Sequence, residues 1–308
     1  MQRRNFLQNT ALTLGGLAFL NQTTLAAFLQ DPTFKIKMLT NEIGMFTERG
    51  GTILFMIGKD GLTVVDTQFP DTAGHLITEL KKRSEKPFSM VINTHHHGDH
   101  SGGNIAFKGL TNTVIAHSNA LKNLQAVAAR AKTEDKQFFP TETFTDRLTK
   151  KVGKERIVLH YFGAGHTNGD IFVHFKKANI VHTGDLVFNR RHPFVDRTAG
   201  ANIESWIKIL DKAQKTFNTD TIYIAGHAAE GYDVIMKQAD VATFSAYLGN
   251  LLKFTEAEVK LGKSFAEIKK ATAIPGSPEW KGTGVERPLQ AAYEEITGTV
   301  VPPAPATK

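Results

Sequence analysis

From about residue 35 onward, apolar positions come in short bursts separated by turn residues, and longer stretches then take over with a three-to-four residue spacing. Residues 35–39, 43–47 and 52–58 are brief runs rich in Ile, Leu, Met and Phe. Lys59-Asp60-Gly61 is a turn signal leading into a run that ends at Asp66. These runs predict an opening antiparallel meander. Residues 72–83 place Leu76, Ile77 and Leu80 at helical spacing, and 88–92 return to strand. Further strands are predicted over 113–116, 157–162, 171–175, 179–181 and 221–224. Helices are predicted over 119–131, 203–217 and 239–261, the last with Val241, Phe244, Leu248, Leu251 and Val259 on one stripe. Residues 133–147 predict a loop that carries Phe138, Phe139 and Phe144. Strand runs interleaved with helices in two similar halves predict an α+β fold, an αββα sandwich of two stacked mixed sheets with helices outside.

The ends of the chain read differently. Residues 1–27 hold Arg3-Arg4-Asn5-Phe6-Leu7, then the apolar stretch 11–20, then small residues at 24–27, and no acid. This is the layout of an export signal. The arginine pair with Phe6 and Leu7 resembles a twin-arginine signal, although Gln2 and Gln8 stand where a hydroxyl residue and a lysine are usual. The apolar core is about half of the ~20 residues that a bilayer requires, which argues against a lasting membrane anchor. The expectation is an exported, periplasmic protein with a signal over 1–27, one large domain over 28–298 with a helical C-terminal part, and a proline-rich disordered tail over 299–308.

Composition adds little chemistry and removes some. With 41% hydrophobic and 22% charged residues the chain is ordinary globular material, and it has no Cys, so no disulfide framework is available. The formal charge is +7 and falls to +5 without Arg3 and Arg4. The basic doublets and triplets, such as Lys81-Lys82-Arg83 and Lys150-Lys151, are scattered and lack interleaved aromatics. They read as solvated faces rather than a nucleic-acid track, which points to a small-molecule partner. Nothing in the sequence sets an oligomeric state.

The chemistry concentrates between Asn93 and Asn104, where His95, His96, His97, Asp99 and His100 fall within six positions. Clustered imidazoles would repel if protonated, whereas neutral imidazole is the commonest metal ligand, so the cluster asks for a metal. It follows the strand-like run 88–92. In extended backbone His95 and His97 point one way and His96 the other, which leaves His96 to face solvent or to support the ligands from behind. Asp99 and His100 lie round the bend and can serve a second ion.

The pattern His95-x-His97-x-Asp99-His100 resembles the signature of the metallo-β-lactamase superfamily of binuclear metal hydrolases. Three downstream segments resemble the family's remaining ligand loops, in order: Gly165-His166-Thr167, Thr183-Gly184-Asp185 and Ala225-Gly226-His227. The resemblance spans about residues 35–230. It implies one metal on His95, His97 and His166, another on Asp99, His100 and His227, and the Asp185 carboxylate spanning both, with Asp99 and Asp185 as the catalytic carboxylates. It also implies support from Asp66, and Asp170 is placed to steady the His166 loop. Two Zn2+ per chain are expected from the N/O donor set, with Mn or Fe left open. Such a pair lowers the pKa of a shared water towards neutrality and yields a metal-bridging hydroxide.

Two subfamilies diverge just after Asp185. Class B β-lactamases commonly have cysteine or serine as that ligand and a lysine three residues on, while quorum-type lactonases keep the aspartate and place a tyrosine there. This chain has Asp185 and Phe188. The aspartate favours cleavage of an ester, thioester or lactone-type bond of a small molecule, with β-lactam hydrolysis as the alternative. Phosphodiester hydrolysis and non-catalytic metal binding stand behind both. Arg190 and Arg191 offer a contact for an anion. His117 reads as a structural hydrogen bonder.

Overall fold

The computed structural model describes residues 34–301. The expected export signal and all but the first residues of the expected tail lie outside them. Seven strands form the first sheet, in spatial order β1 (Lys35–Met38), β2 (Ile43–Thr47), β3 (Ile53–Gly58), β4 (Gly61–Val65), β5 (Phe88–Ile92), β6 (Val114–His117) and β7 (Glu142–Phe144). The second holds β8 (Arg147–Val152), β9 (Glu155–His160), β10 (Phe172–Phe175), β11 (Ile180–Asn189), β12 (Ile222–Ala228) and β13 (Ile235–Met236), stacked in that order from one edge to the other. Both sheets are mixed. β2–β3–β4 is the expected antiparallel meander, while β4, β5, β6 and β7 run parallel, as do β11 and β12.

Alternation along the strands builds the core between the sheets. Leu54 and Met56 of β3, Met90 and Ile92 of β5, Ile157 and Leu159 of β9, and Val173 and Phe175 of β10 belong to one buried cluster. Their period of two sends every second side chain into the space between the layers. The intervening residues Phe55, Val64 and Val91 are equally buried, so the outer face of the first sheet is covered as well. Helix α1 (Pro70–Arg83) buries Ala73, Leu76, Ile77 and Leu80, the stripe that its sequence predicts. A second core lies on the far side of the other sheet. There Trp206 and Leu210 of α4 (Ile203–Thr216), Phe244, Tyr247, Leu248 and Leu251 of α5 (Gln238–Lys260), and Leu289 of the C-terminal helix Glu286–Thr297 pack on Val181, Val187 and Tyr223.

The structure departs from the sequence expectations where polarity or a bend hides an element. Residues 133–147 are not simply a loop, because β7 forms within them and buries Phe144. β8 is a strand despite Lys150 and Lys151, since it is the edge strand: Arg147 and Lys151 turn outward, and Lys150, on the half-buried face, pairs with Glu142 at 2.6 Å. β11 runs on well past residue 181, through a left-handed Gly184 (φ 49°) that shifts the register against β12. The helices α2 (Gly98–Ser101), α3 (Ser118–Ala131), α6 (Phe265–Ile268) and α7 (Glu286–Thr297) complete the described α-helices, of which only α3 has a clear sequence counterpart, and three 3-10 turns lie at 102–107, 134–136 and 197–199.

Candidate metal centre

The parallel strands β4 and β5 end side by side, and β11 and β12 end opposite them. Asp66 and the 95–100 loop follow the ends of β4 and β5, while Asp185 lies within β11 just past the Gly184 bend and His227 lies near the end of β12. The loop is pinned from several directions. Asn93 and Asn104 exchange side-chain hydrogen bonds of 3.0 and 2.8 Å, and the Ser101 hydroxyl donates to the His96 and His97 carbonyls. Asp66 accepts from the Thr94 amide and the Thr94 hydroxyl, at 2.8 Å each. Its own backbone has a positive φ of 64°, a conformation that only tight local bonding holds in a non-glycine residue. Gly51 is required beside it, since a Cβ there would overlap the His100 ring.

Hydrogen bonds at the back of each ring fix the imidazole tautomers. His100 Nδ1 donates to Asp66 Oδ2 at 2.7 Å, His166 Nδ1 to the Phe194 carbonyl at 2.7 Å, and His97 Nε2 to Asp196 Oδ2 at 2.9 Å. His95 Nδ1 meets the Thr94 oxygen at 3.1 Å, whose own proton goes to Asp66. His95, His97 and His166 therefore each turn a bare nitrogen forward. His97 Nδ1 lies 3.1 Å from His95 Nε2 and 2.9 Å from His166 Nε2. Three facing lone pairs repel unless something positive lies among them.

Two donor groups result: His95, His97, His166 and Asp185 in one, and Asp99, His100 and His227 in the other, each with its ligand atoms within 4.8 Å. Asp185 Oδ2 faces His166 Nε2 at 3.6 Å. Its Oδ1 faces His100 and His227 at 3.1 and 3.5 Å. That Oδ1 is buried and makes no hydrogen bond. An orphaned buried carboxylate oxygen among bare imidazole nitrogens is the donor set of a divalent cation, and the residues fit one.

The electrostatics agree. Burial, reinforced by the neighbouring rings, holds His95 well below the ordinary histidine range, and burial together with His97 takes His166 down to about 3, so both stay neutral and able to ligate. Burial works against the charge on Asp185, but His227 and His100 outweigh it and keep the carboxyl well below its usual range. Burial likewise opposes ionisation of Asp99, which its hydrogen bond with His227 reverses. At His100 burial is outweighed by the Asp185 and Asp66 carboxylates, which raise its pKa well above normal; a cation at Nε2 would take that proton's place.

The sequence profile of the Metallo-beta-lactamase superfamily matches residues 46–227, more than half of the chain and all of both donor groups. The chain belongs to the metallo-beta-lactamase superfamily. It is 25% identical over 206 residues to metallo-beta-lactamase IND-1 of Chryseobacterium indologenes, across 65% of this chain and 82% of that protein. It is 26% identical over 218 residues to a metallo-beta-lactamase type 2 of Elizabethkingia meningoseptica, across 68% and 84%. Among solved structures, the sec-alkylsulfatase Pisa1 from Pseudomonas sp. superposes with a TM-score of 0.66 at 15% identity, over 85% of this chain and 50% of that one. Metallo-beta-lactamase IND-7 superposes at 0.58 and 22% identity, over 71% and 100%. The structural likenesses carry the fold, and the profile carries the family: a superfamily hydrolase with divalent-metal donor groups.

Other residues singled out from this superfamily member's sequence fall into place around the donors. Asp170 accepts from the Thr167 amide and hydroxyl, at 2.6 and 2.9 Å, so it ties the loop after His166 rather than touching that ring. Burial raises its pKa to about 7. His96 does not face solvent. It is 4% exposed, 3.8 Å from Asp196, and shares a pocket with Ala126 and Arg130, because α3 covers that side of the loop. His117 caps α3 by accepting from the Asn119 amide and reaches the Thr145 carbonyl. Phe188 stacks on His227 at 5.7 Å. Arg190 is committed to Asp240 and Glu279, at 2.6 and 3.2 Å, and is not available to an anion. Sequence reasoning missed Asp196, which lies far from His97 in the chain and carries no local pattern pointing to it. It also missed the Phe194 carbonyl, which no side-chain motif can announce.

Proposed function

We propose that this protein is a binuclear zinc hydrolase that cleaves an ester, thioester or lactone-type bond of a small molecule. The observation that carries the reading is Asp185, whose two oxygens face different donor groups. His95, His97 and His166 would hold one ion and Asp99, His100 and His227 the other. Bound there, the ions would supply Lewis acidity that activates water and polarises the scissile carbonyl. Asp66 and Asp196 hold the rings in register, so little reorganisation is needed during reaction. The Asp99 side chain is 30% exposed at the mouth of the cleft and is the carboxylate placed to take up a proton from attacking water. Phe188 closes the wall behind His227 with an apolar face. Export through the arginine-pair signal accompanies this reading, since a protein that folds before crossing a membrane can carry its metals with it.

A second reading is β-lactam hydrolysis, which the named metallo-beta-lactamase relatives favour. Against it stands Asp185 itself, at the position where the resemblance expects cysteine or serine in class B β-lactamases. The test is the zinc-loaded protein, its metal content measured, assayed against matched ester, thioester, lactone and cephalosporin substrates. Two metals per chain with ester or lactone turnover is expected. Efficient lactam turnover in their place would transfer the assignment to the second reading, and one metal or none after loading would remove the binuclear centre.

A further inference from the structure

Beside the donor groups opens a cleft of about 750 Å3 whose lining passes from metal-centre residues to a cationic rim. His97, Asp99, Asp185 and His227 form one end. Phe188 and Phe194 line its wall, and Arg191 and Arg287 complete it. Both arginines are exposed, and neither makes a side-chain hydrogen bond or ion pair among the described residues. Two acids of the neighbouring segments are spoken for. Glu279 pairs with Arg190, and Glu286 pairs with Lys269 at 3.4 Å. The remaining carboxylates of the cleft, Asp99 and Asp185, belong to the donor groups.

Arg287 sits in the first turn of α7, where the positive end of the helix dipole disfavours a cation. Helix stability therefore gives no reason for an arginine there. The segment that presents it is firmly seated. Trp280 is buried, stacks on Tyr247 at 4.6 Å and donates from Nε1 to the Arg191 carbonyl at 3.2 Å. Tyr247 in turn meets His192 Nδ1 at 2.9 Å. The backbone on which Arg191 rides is thus locked to the C-terminal segment that carries Arg287, and two cations from distant parts of the chain are held on one cleft.

We propose that Arg191 and Arg287 select substrates that carry an anionic group, a carboxylate or sulfate, on an apolar body that lies along Phe188 and Phe194. This rests on the hydrolase reading above and names its substrate class. Guanidinium groups pair with such anions through parallel charge-assisted hydrogen bonds, and no other cationic side chain lines this cleft. Neither residue touches the reacting atoms. They act on binding, so their effect belongs in KM rather than in kcat.

The test compares two esters of equal length with the zinc-loaded full chain: mono-4-nitrophenyl suberate, which ends in a carboxylate, and 4-nitrophenyl octanoate, which does not. The quantity read is the KM of the octanoate divided by that of the suberate. In the Arg191→Ala/Arg287→Ala double variant this ratio should fall by about tenfold, on the order of one charge-assisted pair. Arg287→Lys should recover part of it. A fall of less than threefold overturns the proposal. Calorimetric binding of 4-phenylbutyrate, with 4-phenylbutanol as the neutral control, separates this from the catalytic reading. If neither ester is turned over, ester cleavage drops out of the hydrolase reading, yet a tenfold weaker Kd for the acid in the double variant still supports the anion site. An unchanged Kd sinks it.

Discussion

Replacing Asp196 by asparagine tests whether the rings are held by tautomer as well as by position. Asp196 Oδ1 accepts from the Thr198 hydroxyl at 2.6 Å and the Ala199 amide at 3.0 Å, while Oδ2 takes the His97 Nε2 proton. Asparagine keeps its oxygen on the first pair and so turns its NH2 towards His97. Nε2 must then accept, which moves the ring proton to Nδ1, the nitrogen that faces His95 and His166. A protonated Nδ1 cannot ligate. Losing a charge-assisted bond costs about 1.5–3 kcal/mol, and disturbing the partner behind a metal-bound histidine typically costs 10–100-fold in affinity; the two ranges agree. Asp196→Asn should therefore bind added zinc at the His95, His97 and His166 group 10–100-fold less tightly, read by competition with a chromophoric chelator at pH 7.5. Asp170→Asn is the control: Asp170 ties the loop after His166 through the Thr167 amide and hydroxyl and touches no ring, so no tautomer depends on its charge. Thermal melting of both metal-depleted variants checks that the fold is intact. Wild-type zinc affinity in a folded Asp196→Asn protein would refute the tautomer argument.

Further outcomes follow from other parts of the molecule. Gly51→Ala drives a methyl into the His100 ring, so it should cost about 1–3 kcal/mol and reduce bound metal; a normal melting temperature with full metal content would contradict this. Trp206→Phe deletes the 3.0 Å bond from Nε1 to the buried Leu186 carbonyl, next to Asp185, and should destabilise by about 1–3 kcal/mol in urea unfolding; an unchanged midpoint would show that the bond is dispensable. His160 and His174 pack on Phe217, and burial lowers both pKa values to about 4, with the neighbouring Arg147 and Lys176 adding to it. Unfolded histidine takes up its proton near pH 6.5, so the unfolded chain binds more protons between pH 6.5 and 4, and stability must fall as the pH drops through that window. His174→Leu should flatten that decline, and identical pH profiles for variant and wild type would exclude the pair as its source.

The sequence made the fold legible wherever one period dominated. β2, β3, β5 and β10 show clear apolar runs, and α1 and α5 carry stripes that face a core. β8 was hidden because an edge strand tolerates charge on both faces: Leu148 and Val152 face the core, Lys151 faces out, and Lys150 lies on the core side, where it pairs with Glu142. β11 was cut short because Gly184 and Asp185 break its apolar run at the point where it becomes chemical. The donors could be read for a similar reason: a metal needs particular side chains at particular spacings, and His95, His97, Asp99 and His100 lie within one turn of chain. Their supports could not. Asp196 and the Phe194 carbonyl reach the centre, and Arg287 the cleft beside it, through packing between segments more than 90 residues from the 95–100 loop, and no local pattern encodes such a meeting. His96 illustrates the limit from the other side, since strand alternation gives its direction, but only α3 determines that the direction is buried.

The two sheets follow each other along the chain, the first ending with β7 and the second beginning with β8, across the exposed pair Thr145 and Asp146. Each donor group straddles that junction: His95 and His97 come from one side with His166 and Asp185 from the other, and Asp99 and His100 from one side with His227 from the other. Cut between 145 and 146, the molecule becomes two fragments, neither of which owns a complete donor group, and a divalent ion becomes a reagent that joins them. Fragment complementation should then be gated by metal: reassembly in zinc and separation in chelator are expected, and full reassembly in chelator would show that the apolar layers alone suffice. In a cell, supply of the ion would set how much of the paired form exists.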